Sequence, residues 1–225
     1  SEFLLTMQQL SRLKRNECFS KTDNLNFSEQ LGDIEQDPFI GFIGENYFQS
    51  EVKICFLGKA NAPTKNKKHD IKINACLKIL KEASKKQLNN AYCNYRKQYE
   101  IAIPTWKIYR YLEHLLNNLS WNLDNICYAN IVPFRYIGNP KSIAYKQSFK
   151  FFTNIFLNTI GPEIIIPLGS DLHHTIKKYY ENAKVLDGVE RTNGDNYMLD
   201  CTSDYLDRIS DYIKNILACA GSPSG

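Results

Sequence analysis

Residues 51–70 read EVKICFLGKANAPTKNKKHD. The segment opens as a run of strand formers, Val52-Lys-Ile-Cys-Phe-Leu57, stops at Gly58, and becomes a polar, lysine-studded loop. An apolar strand that runs through a glycine into a polar loop is how open α/β sheets present a site at the carboxyl ends of their strands. The loop carries the hydrogen-bonding side chains Asn61, Thr64, His69 and Asp70 and the cations Lys59, Lys65, Lys67 and Lys68.

Working outward, the same rhythm recurs. Residues 125–132, NICYANIV, form a second apolar run, followed by the loop PFRYIGNP. Residues 163–168, EIIIPL, form a third, with Pro167 tolerable only at its end because proline cannot donate to a ladder. Residues 184–189 are a candidate fourth strand. Helical spacing fills the intervals. Residues 74–100 are rich in Lys, Ala, Leu and Gln, with Leu77, Leu80 and Ala83 on one face. Residues 105–119 repeat Trp106, Ile108, Tyr109, Leu112, Leu115 and Leu116. Residues 142–160 align Tyr145, Phe149, Phe152 and Phe156, with Ile155 beside them, and end at Gly161-Pro162. Residues 203–218 form a closing helix. Upstream, 4–18 reads as an amphipathic helix and 19–50 as a long covering loop pinned by Phe39, Phe42, Tyr47 and Phe48.

Strands alternating with helices predict a parallel sheet with helices on both faces. The expected architecture is a three-layer α/β/α sandwich with a central, mostly parallel four-stranded sheet in one domain. Residues 4–50 form its N-terminal helix and covering loop, and 51–218 its core. Residues 1–3 and 222–225 read as cloning remnants and stand outside the fold reasoning. Topology alone then gathers the loops 58–70, 130–140, 169–171 and 190–195 on one sheet edge.

Composition narrows the function classes. The chain has 225 residues and a formal net charge of +4, compatible with nucleic acid without requiring it. Its seven cysteines are odd in number and include no C-x-x-C pair, which predicts free thiols in a reducing, cytoplasmic setting and argues against zinc or iron–sulfur ligation. No apolar run approaches a membrane span and no signal peptide is apparent. The loops contain no G-x-G-x-x-G, no G-x-x-x-x-G-K-[ST] and no G-x-S-x-G, so dinucleotide binding, triphosphate binding and an α/β-hydrolase elbow lack support. His114, His173 and His174 fall within expected helices, which leaves His69 and Asp70 as the one His–carboxylate pair in the loops. Gly169-Ser170-Asp171 turns straight into a helix, with Ser170 as the expected N-cap beside open amides. Asn130 stands at the end of an apolar strand, where its donor and acceptor would either read the edge of a nucleobase or cap the loop backbone.

Four segments in this order, ICFLGKANAP (54–63), IPTWKIYRYLEHLL (103–116), ICYANIVPFR (126–135) and EIIIPLGSDLHHTI (163–176), resemble the uracil-DNA glycosylase superfamily. With the turn at 191–195 they span most of the chain. The resemblance implies a uracil-DNA glycosylase-like fold and hydrolysis of the N-glycosidic bond of a damaged base flipped out of single- or double-stranded DNA, without a cofactor or metal. It implies Asn61, with Asp70 as a second candidate, for positioning or activating water, and Asn130 for binding the base edge. Trp106 and Tyr136 are the candidates for stacking on the base. Lys65, Lys67, Lys68, Arg135, Ser170, Arg191 and Thr192 are the candidates for phosphate contact. The family's second motif, His-Pro-Ser, is replaced by Arg191-Thr192-Asn193-Gly194, so Arg191 and Asn193 would have to meet the charge of the leaving base. Two other readings stay open: a protein of the same fold that binds nucleic acid or a nucleotide-like ligand without excision, and an unrelated α/β enzyme acting on a small polar substrate.

Overall fold

The computed structural model describes residues 1–63, 67–191 and 198–221. Its strands are β1 (Phe42–Ile43), β2 (Ile54–Ala60), β3 (Cys127–Val132), β4 (Ile164–Pro167) and β5 (Lys184–Val185). They form one sheet in the order β1-β3-β2-β4-β5. The four expected parallel strands are present. A fifth, β1, pairs antiparallel with β3 through Phe42↔Tyr128 and Ile43↔Cys127. It lies in the stretch read as covering loop, where two residues are too few to show a strand period.

Every residue of β3 and β4 is buried, as are Ile54 to Leu57 of β2. Side chains alternate between sheet faces, so a strand buried at every position is covered on both. Helices supply that cover: α1 (Glu2–Ser11), α2 (Arg15–Cys18), α3 (Lys67–Glu82), α4 (Leu88–Ala102), α5 (Tyr109–Leu119), α6 (Ser142–Ser148), α7 (Asn154–Ile160), α8 (Leu172–Tyr179) and α9 (Asp200–Ala220). The arrangement is α/β with a mostly parallel sheet, as a three-layer sandwich requires. Among the described residues, no helix is long and apolar enough to cross a membrane.

Four departures from the sequence reading have identifiable causes. The helix expected over 74–100 is two helices, α3 and α4, which pack along each other. Gln8 Nε2 takes the carbonyls of Leu80 and Ala83 at the end of α3, and Ser84 with Gln87 closes the turn. Because α3 starts at Lys67, the residues Lys67 to Asp70 form its first turn rather than a loop. The helix expected over 4–18 breaks at Arg12, where Lys14 turns to extended geometry to reach Asp37. Residues 1–3, set aside as remnants, take part in the fold: the Ser1 hydroxyl caps α1, and Phe3 packs edge-on against Phe48 and Tyr92.

The helix at 142–160 does run through, with a π-helical turn at Phe149–Thr153 between α6 and α7. Tyr145, Phe149, Phe152 and Phe156 are all buried, whereas Ile155 is exposed. Thr153 turns inward there and donates to the Ile131 carbonyl at 2.7 Å, tying the helix to β3. Cys55 and Cys127, directly paired in register on β2 and β3, are free thiols 3.6 Å apart.

Candidate functional site

The chain runs from β2 to β3 on one side and then crosses back to β4 on the other. Successive connections therefore diverge at the carboxyl ends of β2 and β4, the place where open α/β sheets leave a crevice. A cleft of about 410 Å³ lies there. It is lined by Lys59, Tyr136, Leu168, Gly169, Ser170 and Arg191, among others. Each loop expected to converge on this edge contributes described residues to the lining: Lys59 from 58–70, Tyr136 from 130–140, Gly169 and Ser170 from 169–171, and Arg191 from 190–195.

Asn130 lies behind the cleft, paired with the residue that precedes Lys59 of the lining. Its Cα pairs with that of Gly58 across β2 and β3, and its side chain lies over Gly58. A Cβ on Gly58 would stand 2.3 Å from Asn130 Oδ1. The glycine that ends the apolar run is thus the space into which the asparagine folds. Asn130 is 2% exposed, and its carboxamide is engaged on both sides. The Tyr128 hydroxyl donates to Oδ1 at 3.3 Å, and Nδ2 donates to Asn61 Oδ1 at 2.8 Å. Burial pushes the Tyr128 phenol up to about 12, against the opposing pull of the Arg191 charge and the bond to Asn130. The phenol is therefore a donor at neutral pH, which fixes the orientation of the Asn130 carboxamide. The Arg191 side chain is close enough to act on Tyr128, and Nη1 makes a long 3.4 Å bond to the Leu168 carbonyl.

On the other side of Asn61 lies a smaller hollow of about 50 Å³, lined by Asn61, Asp70, Tyr99 and Arg135 among others. The two candidates for water positioning, Asn61 and Asp70, therefore meet at one place. Their environments differ. Asn61 is partly exposed, and its own amide Nδ2 makes no hydrogen bond among the described residues. Asp70 is buried and ion-paired with Arg135 Nη2. Its carboxylate is thus engaged with Arg135, so the expectation that Asp70 activates water does not fit its surroundings.

Three further expectations are corrected. Arg135 is not presented to a phosphate: its side chain is 17% exposed and is spent on Asp70 and on the Ala62 carbonyl, at 2.6 Å. Tyr136 offers no stacking face: it is 2% exposed and packs edge-on against Phe27, with its buried hydroxyl unpartnered at the cleft wall. Ser170 is not the N-cap of α8, a position held by Asp171 without a side-chain bond, and Ser170 stays exposed. Trp106 is half-buried, with its ring edge-on to Phe39, Tyr99 and Tyr128 at 6.0 to 6.3 Å, so packing dominates its surroundings.

Lys67 and Lys68 are exposed on the first turn of α3. Lys65, Thr192 and Asn193 lie outside the described residues. Lys59, not assigned a role from the sequence, ties the two sides of the cleft together, donating to Asp171 Oδ2 at 2.8 Å and Asn139 Oδ1 at 3.1 Å. Its position after Gly58 was the available signal. Close contact continues at the far wall, where a Cβ on Gly188 would stand 1.9 Å from the Gly169 carbonyl oxygen. Among the described residues, no three His, Cys, Asp or Glu side chains are grouped to hold a metal. In comparisons with known proteins, no family model and no curated protein matches this chain.

Proposed function

We propose that this chain has a uracil-DNA glycosylase-like fold and hydrolyses the N-glycosidic bond of uracil or a related damaged base extruded from DNA. The observation that carries the reading is the Asn130–Asn61 carboxamide pair. It sits at the carboxyl ends of two adjacent parallel strands, oriented by a buried tyrosine and next to a cleft with Arg191 at its edge. A buried carboxamide of fixed orientation reads a lactam edge, with one donor and one acceptor side by side.

The chemistry assigns the remaining roles. When the glycosidic bond breaks, its electron pair leaves with the base and the sugar becomes oxocarbenium-like. The permanent charge of Arg191 meets the developing anion on the base. Water adds to the sugar carbon and releases its proton to solvent. Asn61, which lines the small hollow beside the pair, orients that water without acting as a base. Exposed Lys67, Lys68 and Ser170 are the candidates for phosphate contact, and such contacts make affinity fall with salt.

Uracil-containing single- and double-stranded oligonucleotides, incubated with the protein and then treated with alkali, test the reading. Strand scission at uracil supports it, and the absence of scission at uracil, hypoxanthine or other damaged bases refutes it. The pairing of Asp70 with Arg135 favours a second reading, in which the same cleft binds a nucleobase ligand without cleaving it. In that case, salt-dependent DNA binding without scission is the expected result.

A further inference from the structure

We propose that Arg135 and Asp70 form a clamp that positions Asn61, an inference that rests on the reading of Asn61 given above. Arg135 follows β3 by three residues, and its guanidinium reaches across to the connection between β2 and α3. Nη1 donates to the Ala62 carbonyl at 2.6 Å, and Nη2 pairs with the Asp70 carboxylate in the first turn of α3. One side chain therefore holds both ends of the 62–70 connection. The next residue continues the grip, since the Tyr136 amide donates to the Asn61 carbonyl at 2.9 Å. Two successive carbonyls, 61 and 62, are thus held by two successive residues, 136 and 135.

The clamp is itself backed. The Ser28 amide donates to the Arg135 carbonyl at 3.0 Å, and the Ile137 amide donates to the Asn26 carbonyl at 2.8 Å. Phe27 bridges Tyr136 between them. Arg15 Nη1 in turn holds the Ser28 carbonyl at 2.7 Å. What emerges from this braced backbone is the Asn61 side chain, 2.8 Å from Asn130 Nδ2. A guanidinium suits the task because its donors point in fixed, different directions, so it can bind a carbonyl and a carboxylate at once. An ammonium keeps the charge and loses that geometry.

Arg135→Lys, Arg135→Gln and Asp70→Asn in the full chain test the clamp by three readouts. These are single-turnover base release from a uracil oligonucleotide, the salt slope of DNA binding, and the side-chain amide resonances of Asn61 and Asn130 in 15N-labelled protein. The clamp predicts that all three variants shift both carboxamide resonances and slow release roughly tenfold to a hundredfold, the range expected for misplacing a group at the reacting centre. It also predicts an unchanged salt slope in Arg135→Gln, and partial recovery of its release rate with millimolar guanidinium but not with methylammonium. A slope reduced by about 1 in Arg135→Gln makes Arg135 a phosphate contact and overturns the proposal. Unmoved resonances in folded Arg135→Lys overturn it as well. If the wild-type chain releases no base, the reading of the site fails on its own, and the resonances still decide whether the clamp holds Asn61.

Discussion

Gly58→Ala adds one methyl group at the most crowded point of the candidate site. Gly58 lies within β2, and its φ is not positive, so alanine meets no backbone strain. On backbone grounds alone, the change should stabilise the protein by about 0.4–1 kcal/mol, because alanine restricts the unfolded chain. Packing opposes this. The new Cβ would stand 2.3 Å from Asn130 Oδ1, whereas ordinary contact begins at 3.4 Å, so the carboxamide must move by 3.4 − 2.3 = 1.1 Å. The bond from the Tyr128 hydroxyl is already 3.3 Å long and does not survive such a shift, and the 2.8 Å bond to Asn61 is strained or lost. Asn130 is 2% exposed, so water does not replace either partner. Leaving a buried polar group unsatisfied costs about 1–3 kcal/mol. The net expectation is a destabilisation of up to about 2.6 kcal/mol. At roughly 2–4 °C per kcal/mol for a chain of this size, the melting temperature falls by up to about 10 °C. Urea denaturation gives the free energy, and the 15N-resolved amide signals of Asn130 report the displacement directly. A variant as stable as the wild type, with the Asn130 signals unmoved, would falsify the packing argument.

Other substitutions probe separate parts of the structure. Arg191→Gln should reduce base release by about a hundredfold. Its melting temperature should hardly change, because the one described hydrogen bond of this exposed side chain is 3.4 Å long; a wild-type rate would remove Arg191 from the chemistry. Thr153→Val keeps the shape but removes the buried bond to the Ile131 carbonyl, and should cost about 1–2 kcal/mol in urea denaturation, with no loss meaning that the bond contributes nothing net. Asp37 is held by Lys14, Lys81 and Asn74, and these bonds outweigh burial to keep its carboxyl below the usual value of 3.8. Its stabilising effect is therefore fully present above 3.8 and disappears as pH falls through the lower, folded-state value. Asp37→Asn should cost about 1–3 kcal/mol at neutral pH, discounted for the partly exposed lysines. The gap between variant and wild type should close at acid pH, and a pH-independent gap would show that the charge is not the cause.

The sheet was legible because its strands are buried on both faces, which leaves continuous apolar runs such as Cys-Phe-Leu and Ile-Ile-Ile between polar loops. Convergence of the loops followed from topology and needed no contact information. What was not legible depended on tertiary partners. β1 owes its existence to pairing with β3, since two residues carry no period. The break between α3 and α4 depends on Gln8, seventy-two residues before the Leu80 carbonyl that it satisfies. Gly58 was read as the end of the strand, whereas β2 runs on to Ala60, and its role in making room for Asn130 was not legible because the asparagine comes from another strand. Asn130 itself was readable as a polar residue at the end of an apolar run. Its fixed orientation was not, since it depends on Tyr128 two residues earlier on the same face and on Asn61 across the sheet edge.

The cations show why loop charge misleads when read from sequence alone. Lys59, Lys67, Lys68, Arg135 and Arg191 lie on converging segments, and a count would treat them as one basic patch. The structure divides them by exposure. Arg135 is partly buried and ion-paired with Asp70, and Lys59 is partly buried and ion-paired with Asp171 across the cleft. Lys67, Lys68 and Arg191 remain exposed. A cation releases counterions when a phosphate reaches it, so if the chain binds nucleic acid, the exposed group is the one expected to set the salt slope. Removing Arg135 should shift the Ala62 carbonyl it holds, removing Lys59 should release the Asp171 and Asn139 side chains, and neither should change that slope. Loss of function through geometry and loss of function through charge are thus separable here by one salt titration of the variants.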